Sequence, residues 1–353
     1  MIRNRNQSSA VSKVSEMCPD VEKRAPRALF RPHNLLAIAA VLATMVLFQY
    51  QSSQCRTQIA VASIQHANHN IDVSVIEELY QTVTAERLSK IAKQYKSQYA
   101  QASPFPHIAI DHIFPERFLQ AVLKEMPESD VLNGCVSTST ACFQHRSSTQ
   151  QKKSAVDVEE HMGFLTRILF GFMKSSTFIH FLEELTAIED IIPDPHYRGS
   201  GLHFTAPGGN LDVHADFNKY QAYQLDRRVN AFIYLNPNWK DEYGGHLELW
   251  SKDMTSCYQR ILPTMGRFVV FSSTDFSYHG HPEALLAPAD RARRSMALYY
   301  YTNGRPSEEC LNGDCSGKGH STLFKKPVGC QVCQENTCKA YDENKPNWVE
   351  AFQ

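Results

Sequence analysis

The chain lacks an excess of charge of either sign: 36 Lys and Arg stand against 37 Asp and Glu over 353 residues, a net charge of −1 with a pI near 6.9. Without a basic surplus there is no global electrostatic reason to expect binding to nucleic acid. The chain also lacks a Walker sequence or any other nucleotide-cradling glycine loop, which sets aside that class of phosphate-binding folds. Apart from Asn6-Gln7-Ser8 it lacks an Asn-x-Ser/Thr acceptor, so N-glycosylation gives no handle on its topology. Apolar residues are not scarce, at 42% hydrophobic and 10% aromatic, which excludes a disordered chain and suffices for one large or two medium domains.

Charge is locally absent in one place. Residues 1–33 carry Arg3, Arg5, Lys13, Lys23, Arg24, Arg27 and Arg31, and the uncharged stretch "NLLAIAAVLATMVLFQY" follows at 34–50. We expect a basic cytosolic leader followed by a transmembrane signal anchor, the rival readings being a buried core helix and a cleaved signal peptide. With the basic cluster before the span, the positive-inside rule predicts a single-pass type II membrane protein whose globular part is luminal, in the endoplasmic reticulum or Golgi. Cysteine usage fits an oxidising lumen: Cys18 precedes the span, whereas Cys310, Cys315, Cys330, Cys333 and Cys338 crowd into the tail. That tail, 305–353, reads as disulfide-stapled, with a structural zinc site as the alternative.

Between anchor and tail the texture changes twice. Val75, Leu79, Val83, Leu88, Ile91 and Tyr95 recur at helical spacing within a stem spanning 51–103, predicting one amphipathic helix with some capacity for self-association. "ASPFPH" ends it, and a domain over 104–304 begins. "HIAIDHIF" reads as a strand, "PERFLQAVLKEM" as a helix, 130–157 as a long surface loop carrying Cys135 and Cys142, and "GFLTRILFGFMKSSTFIHFLEELTAI" as one or two helices. After residue 196 short strands follow one another: "GLHFTAP", "LDVHADF", "RRVNAFIYLN", "GGHLELW", "QRILPTMGRFVVFSS" and "RSMALYYYT". The fold class is therefore α+β, a β barrel or jelly roll with flanking helices.

Chance alone predicts about 1.6 copies of His-x-acid in such a composition, so neither His214-Ala215-Asp216 nor His246-Leu247-Glu248 means anything until its surroundings are read. Strand alternation puts His214 and Asp216 on one face, where both can bind one ion. "YHGHP" offers His279 or His281 as a third ligand, and two imidazoles with a carboxylate suit non-haem Fe(II) with open positions. An α-keto acid on that metal requires a cation for its far carboxylate. Arg293 is the first choice, sharing a face with Ser295, and Arg294 the second, while Tyr234 can reach the same cosubstrate. His161 and His180 read as packed or surface residues and Tyr278 as packing.

The order Gly-Gly-x-Leu-x-x-His-x-Asp, "YLNPNW", "GGHLELW", "YHGHP" and "RRSMALYYY" resembles the Fe(II)/2-oxoglutarate dioxygenases of the prolyl 4-hydroxylase type over 104–304. The resemblance implies a double-stranded β-helix, with His214, Asp216 and His279 on iron, Arg293 on the 2-oxoglutarate carboxylate, Tyr234 against the cosubstrate and ascorbate as reductant. Arginine at the clamp, where collagen-type enzymes use lysine, is similar to the hypoxia-sensing and bacterial branches. A proline-containing polypeptide of the secretory route is the implied substrate, with residues 217–228 and 130–157 as candidate selectivity segments. The family has no ligands in the "GGHLELW" strand, so His246 and Glu248 are expected to be structural.

Overall fold

Alternation along a buried strand decides what each layer contains. In β10 (Phe268–Ser272), Phe268 packs edge-on against Phe178 and tilted against Phe181 on a flanking helix, whereas Val269 and Phe271 turn the other way and join Phe105, Tyr234, Leu247, Leu249 and Ile261 inside the barrel. One face is thus sealed by helices and the other forms the interior core. The computed structural model describes residues 72–126, 143–315, 317, 319–328, 332–334 and 337–339.

Helices α1 (Val73–Thr82) and α2 (Ala85–Gln101) come first, then β1 (His107–Ile110) and α3 (Glu116–Glu125). A hairpin of β2 (Phe143–Ser147) and β3 (Gln150–Val156) precedes α4 (Phe164–Met173) and α5 (Ser176–Thr186). The remaining strands are β4 (Ile192–Pro193), β5 (Gly201–Ala215), β6 (Lys219–Tyr220), β7 (Leu225–Tyr234), β8 (Leu247–Trp250), β9 (Cys257–Ile261), β10, β11 (His279–His281), β12 (Arg293–Thr302), β13 (Leu323–Phe324), β14 (Val332–Gln334) and β15 (Thr337–Lys339). The main sheet runs β1-β10-β7-β12-β5-β11-β8-β9, every pairing antiparallel, with β3 and β13 added to β5. It is a nearly closed, jelly-roll-like barrel, as the strand pattern predicts.

β5 joins two layers. Thr205 and the residues before it pair with β12, whereas Leu211 and His214 pair with β11. The exchange of partners occurs at Gly208 and Gly209. Gly208 has φ +74°, which an L side chain rarely adopts, and a Cβ on Gly209 would lie 2.7 Å from the Gln151 carbonyl oxygen. The two strands expected at "GLHFTAP" and "LDVHADF" are therefore one strand with a corner.

Three expectations need correction. The amphipathic stem is not a single helix: Thr84 caps α2, its side chain accepting from the Arg87 amide, and the helix breaks there. Nor is that part of the stem free of the domain. Val75, Leu79, Val83 and Leu88 are buried, and Tyr99 and Ser272 share a buried 2.7 Å hydroxyl hydrogen bond, so the apolar stripe packs on the domain. Finally, the segment read as a loop over 130–157 contains the β2–β3 hairpin, whose second strand pairs with β5. The leader and anchor over 1–50, together with Cys135 and Cys142, lie outside the described residues. Among the described residues no helix is long and apolar enough to cross a membrane.

In the tail, Cys257–Cys333 and Cys310–Cys315 are disulfides, which removes these cysteines from any zinc site. The tail also packs on the barrel through β13, and Cys333 joins Val213, Ala215, Trp250 and Tyr278 beneath it.

Because α2 packs against the barrel's helical layer, Leu88→Ala should cost about 2–5 kcal/mol, as for any core leucine, when followed by urea unfolding. A free stem helix would leave the unfolding midpoint unchanged.

Candidate active site

Two histidines and a carboxylate meet at the β5–β11 ladder, where His214 and His279 are direct cross-strand partners. Their ligand atoms and that of Asp216 all lie within 4.8 Å of one another. His214 Nε2 is 3.6 Å from Asp216 Oδ1 and His279 Nε2 is 3.5 Å from Asp216 Oδ2. Each imidazole is oriented from behind, because His214 Nδ1 donates to the Asp212 carbonyl and His279 Nδ1 to the Ser277 carbonyl, both at 2.8 Å. With the proton fixed on Nδ1, each Nε2 presents a lone pair to the centre. A Cβ on Gly280, between the histidines, would lie 2.9 Å from the Leu211 carbonyl oxygen, so glycine is what lets β11 approach β5.

Electrostatics prepare the same centre. Burial pushes the His279 imidazole down to about 4 against the pull of Asp216, so it is neutral at physiological pH. Burial also opposes ionisation of Asp216, yet Arg227, His279 and His214 outweigh it and hold that carboxyl well below the usual range. Two imidazoles and an ionised carboxylate on one side of a cavity fit an open Fe(II) site, and these three residues could hold the ion.

The cavity measures about 190 Å³ and its walls include His214, Asp216, His279, Arg293, Tyr234 and Ser295. The six residues that the sequence nominated first thus face one space. Arg293 Nη2 donates to the Tyr234 hydroxyl at 3.2 Å and its Nε to the Gly245 carbonyl at 2.6 Å. Gly245 has φ +70° and a Cβ there would strike Leu285 and Arg293, so the glycine of "GGHLELW" positions the arginine. Burial raises the Tyr234 phenol against the nearby Arg293, keeping it protonated and able to donate. Arg294 points elsewhere and is absent from the cavity walls.

Residues 200–301 match the sequence profile of the 2OG-Fe(II) oxygenase superfamily. This segment is a 2-oxoglutarate and Fe(II)-dependent oxygenase domain. Similar solved structures include a Trichoplax adhaerens prolyl hydroxylase in complex with a hypoxia-inducible-factor peptide fragment, at 16% identity and a TM-score of 0.43, covering 61% of this chain and 91% of that one. A Pseudomonas putida prolyl-4-hydroxylase aligns at 18% identity and 0.42, covering 62% of this chain and 100% of that one. HygX from Streptomyces hygroscopicus, with nickel, 2-oxoglutarate and hygromycin B bound, aligns at 10% identity and 0.39, covering 62% and 93%. No curated protein matches the chain.

The oxygenase domain holds functional groups that sequence reasoning missed. Asp216 Oδ2 accepts from Arg227 Nη2 at 2.9 Å and from Asn230 Nδ2 at 2.7 Å, while Arg227 Nε donates to Asn230 Oδ1 at 2.8 Å. Asn230 was legible, since it shares a face with Tyr234. Arg227 was not, because a register shift opposite Tyr300 and Tyr301 interrupts the alternation and turns Arg227, rather than Arg228, inward. Its guanidinium lies 3.3 Å above the Tyr299 ring centroid. The tail contributes too: β13 pairs with His214 and Ala215, and the Phe324 ring sits 5.3 Å from that of His214.

The remaining candidates separate cleanly. His281 is buried in the cavity wall with no hydrogen-bond partner for Nδ1, but lies outside the close group formed by His214, Asp216 and His279. His161 and His180 are exposed on the surface, and Tyr278 packs in the core. His246 and Glu248 face away from the cavity. His246 Nε2 meets Asp241 at 2.8 Å and Glu248 accepts from Trp250 Nε1 at 3.1 Å, the structural roles expected of them.

Arg227→Gln should lower Mn(II) affinity about 10–100-fold by loosening Asp216, measured by titration of the folded variant. A second prediction concerns the second copy of the motif. Burial, reinforced by Glu283, lifts the Glu248 carboxyl to about 8, so the folded protein binds a proton there that the unfolded chain releases. Stability from this group falls as pH rises from the ordinary carboxyl range through about 8. Glu248→Gln should therefore gain thermal stability relative to wild type between about pH 5 and about pH 9, the gap widening with pH.

Proposed function

We propose that the chain is a prolyl hydroxylase that holds Fe(II) with His214, Asp216 and His279 and 2-oxoglutarate with Arg293 and Tyr234. The observation that carries the reading is the convergence of three oriented ligands and the Arg293–Tyr234 pair on one cavity. When bound, the metal and cosubstrate supply the oxidising chemistry, with succinate and CO2 released. The protein's own groups orient and select. Arg227 and Asn230 fix one carboxylate oxygen of Asp216, backbone carbonyls fix both imidazoles, and Arg293 with the Tyr234 hydroxyl offers donors for a far carboxylate. Ser295 pairs with Tyr234 across the β7–β12 ladder and lines the same end.

A polypeptide side chain is the favoured target because the cavity, about 190 Å³, falls below the roughly 300–1,000 Å³ that enclose drug-sized ligands. The prolyl assignment rests on the similarity of "YLNPNWKDEYGGHLELW" and "YHGHP" to prolyl hydroxylases. Two disulfides among the described residues favour an oxidising compartment, consistent with a luminal catalytic domain behind the anchor read at 34–50. Ascorbate is proposed as the reductant that rescues iron oxidised by uncoupled turnover.

Succinate formation by the full chain with Fe(II), 2-oxoglutarate and ascorbate tests the reading. Turnover should be stimulated by proline-rich peptides and abolished by His214→Ala. Stimulation by a different peptide or by a small molecule would reassign the substrate, and failure to bind iron would turn the chain into a tethered binding scaffold.

A further inference from the structure

Lys153 is a cation inside the cavity that the reading above does not use. A bulge in β3 turns it there: Lys152 has φ +50°, the β3–β5 register shifts between Gln151 and Lys153, and the two lysines part company. Lys152 is exposed and its Nζ donates to the Pro207 carbonyl at 3.0 Å, whereas Lys153 lines the cavity. Among the described residues the Lys153 ammonium has no hydrogen-bond or ion-pair partner.

Its place in the sheet sets its reach. Thr205 pairs with Lys153 on one side and Arg293 on the other, so the three form a row across β3, β5 and β12. Strands lie about 4.8 Å apart, which puts the two cations roughly 10 Å apart at Cα, a span that two long side chains close over Thr205. His281 faces the same space with Nδ1 buried and unpartnered. The carboxylates among the walls are Asp216, committed to Arg227 and Asn230, and Asp157, four residues further along the chain from Lys153. Four residues of extended chain span about 13 Å, which puts Asp157 towards the other end of the cavity.

We propose that Lys153, with His281 beside it, forms a second carboxylate-binding position in this cavity, additional to the one that Arg293 provides. The proposal rests on the oxygenase reading. Charge favours the substrate as the source of that carboxylate. With a divalent ion, Asp216, a doubly charged 2-oxoglutarate, Arg227 and Arg293 all counted, the site already carries one excess positive charge, and Lys153 makes two. An acidic residue next to the reacting side chain offsets the charge that Lys153 adds. Burial lowers the Lys153 ammonium to about 8, as expected for a cation awaiting its counter-charge.

Calorimetric titration of the Mn(II)-loaded full chain tests the proposal. Wild type, Lys153→Met and Lys153→Arg would each be titrated with 2-oxoglutarate, then with paired proline peptides carrying Glu or Gln before the proline. A substrate source predicts unchanged 2-oxoglutarate affinity and an about tenfold preference for the Glu peptide that Lys153→Met abolishes and Lys153→Arg keeps. A cosubstrate source predicts about tenfold weaker 2-oxoglutarate binding in Lys153→Met with no change in peptide preference. Equal 2-oxoglutarate affinity in wild type and Lys153→Met, together with no Lys153-dependent discrimination between the peptides, would overturn the proposal. No 2-oxoglutarate binding to wild type would overturn the oxygenase reading instead.

Discussion

The bond from Arg227 to Asp216 is the constraint around which the site is arranged. A carboxylate buried beside two imidazoles needs a counter-charge in the absence of metal, and a lone buried charge is among the costliest things a fold can contain. Arg227 supplies it without competing for the oxygen that faces His214, because it binds Oδ2 and leaves Oδ1 directed at the imidazole. The guanidinium is in turn held between Asn230 and the Tyr299 ring, and the backbone carbonyl of Arg227 accepts from Arg305 Nη2. Arg305 is anchored near Asp275, which also accepts from the Leu311 amide and from Asn218. The position of the Asp216 carboxylate therefore depends on a polar network that extends well into the tail.

β5 distributes that constraint through the sheet. By exchanging β12 for β11 at its glycine corner, it carries Thr205 and His203 beside the arginine strand and His214 beside the histidine strand. The neighbours of Arg293 and the candidate metal ligands are thus fixed by one continuous backbone. The separation between them is set by hydrogen-bond register, which changes only in whole residues.

Much of this was legible in the sequence because it follows the pleat. His214 with Asp216, and Arg293 with Ser295, are pairs two residues apart on uninterrupted stretches of strand, and they face the cavity as alternation requires. His279 and His281 both face inward as well, but the choice between them depended on which one stands opposite His214. What the sequence concealed was set by bulges and by distant pairing. Arg227 and Lys153 face inward only because their strands each slip by a residue, and no local pattern marks either slip. The stem helices were recognised as amphipathic, but periodicity cannot say whether an apolar stripe meets another copy or its own domain; here α2 spends it on α5. The tail's disulfide character was readable from composition, whereas the partner of Cys333, 76 residues earlier in the chain at Cys257, was not.

That last pairing sets an order of assembly. His214 and Asp216 lie on a strand whose outward residues, Val213 and Ala215, are covered by a cluster that includes Cys333, and β13 completes the ladder beside His214. During synthesis the ligand strand emerges more than a hundred residues ahead of this cover, as the numbering shows. Domains fold largely as units, so the nascent barrel waits with one sheet edge open until the tail arrives and its cystine closes. Maturation of the centre is in this way tied to the arrival of the tail, and its surroundings are complete only once Cys333 has met Cys257 and β13 has paired beside His214.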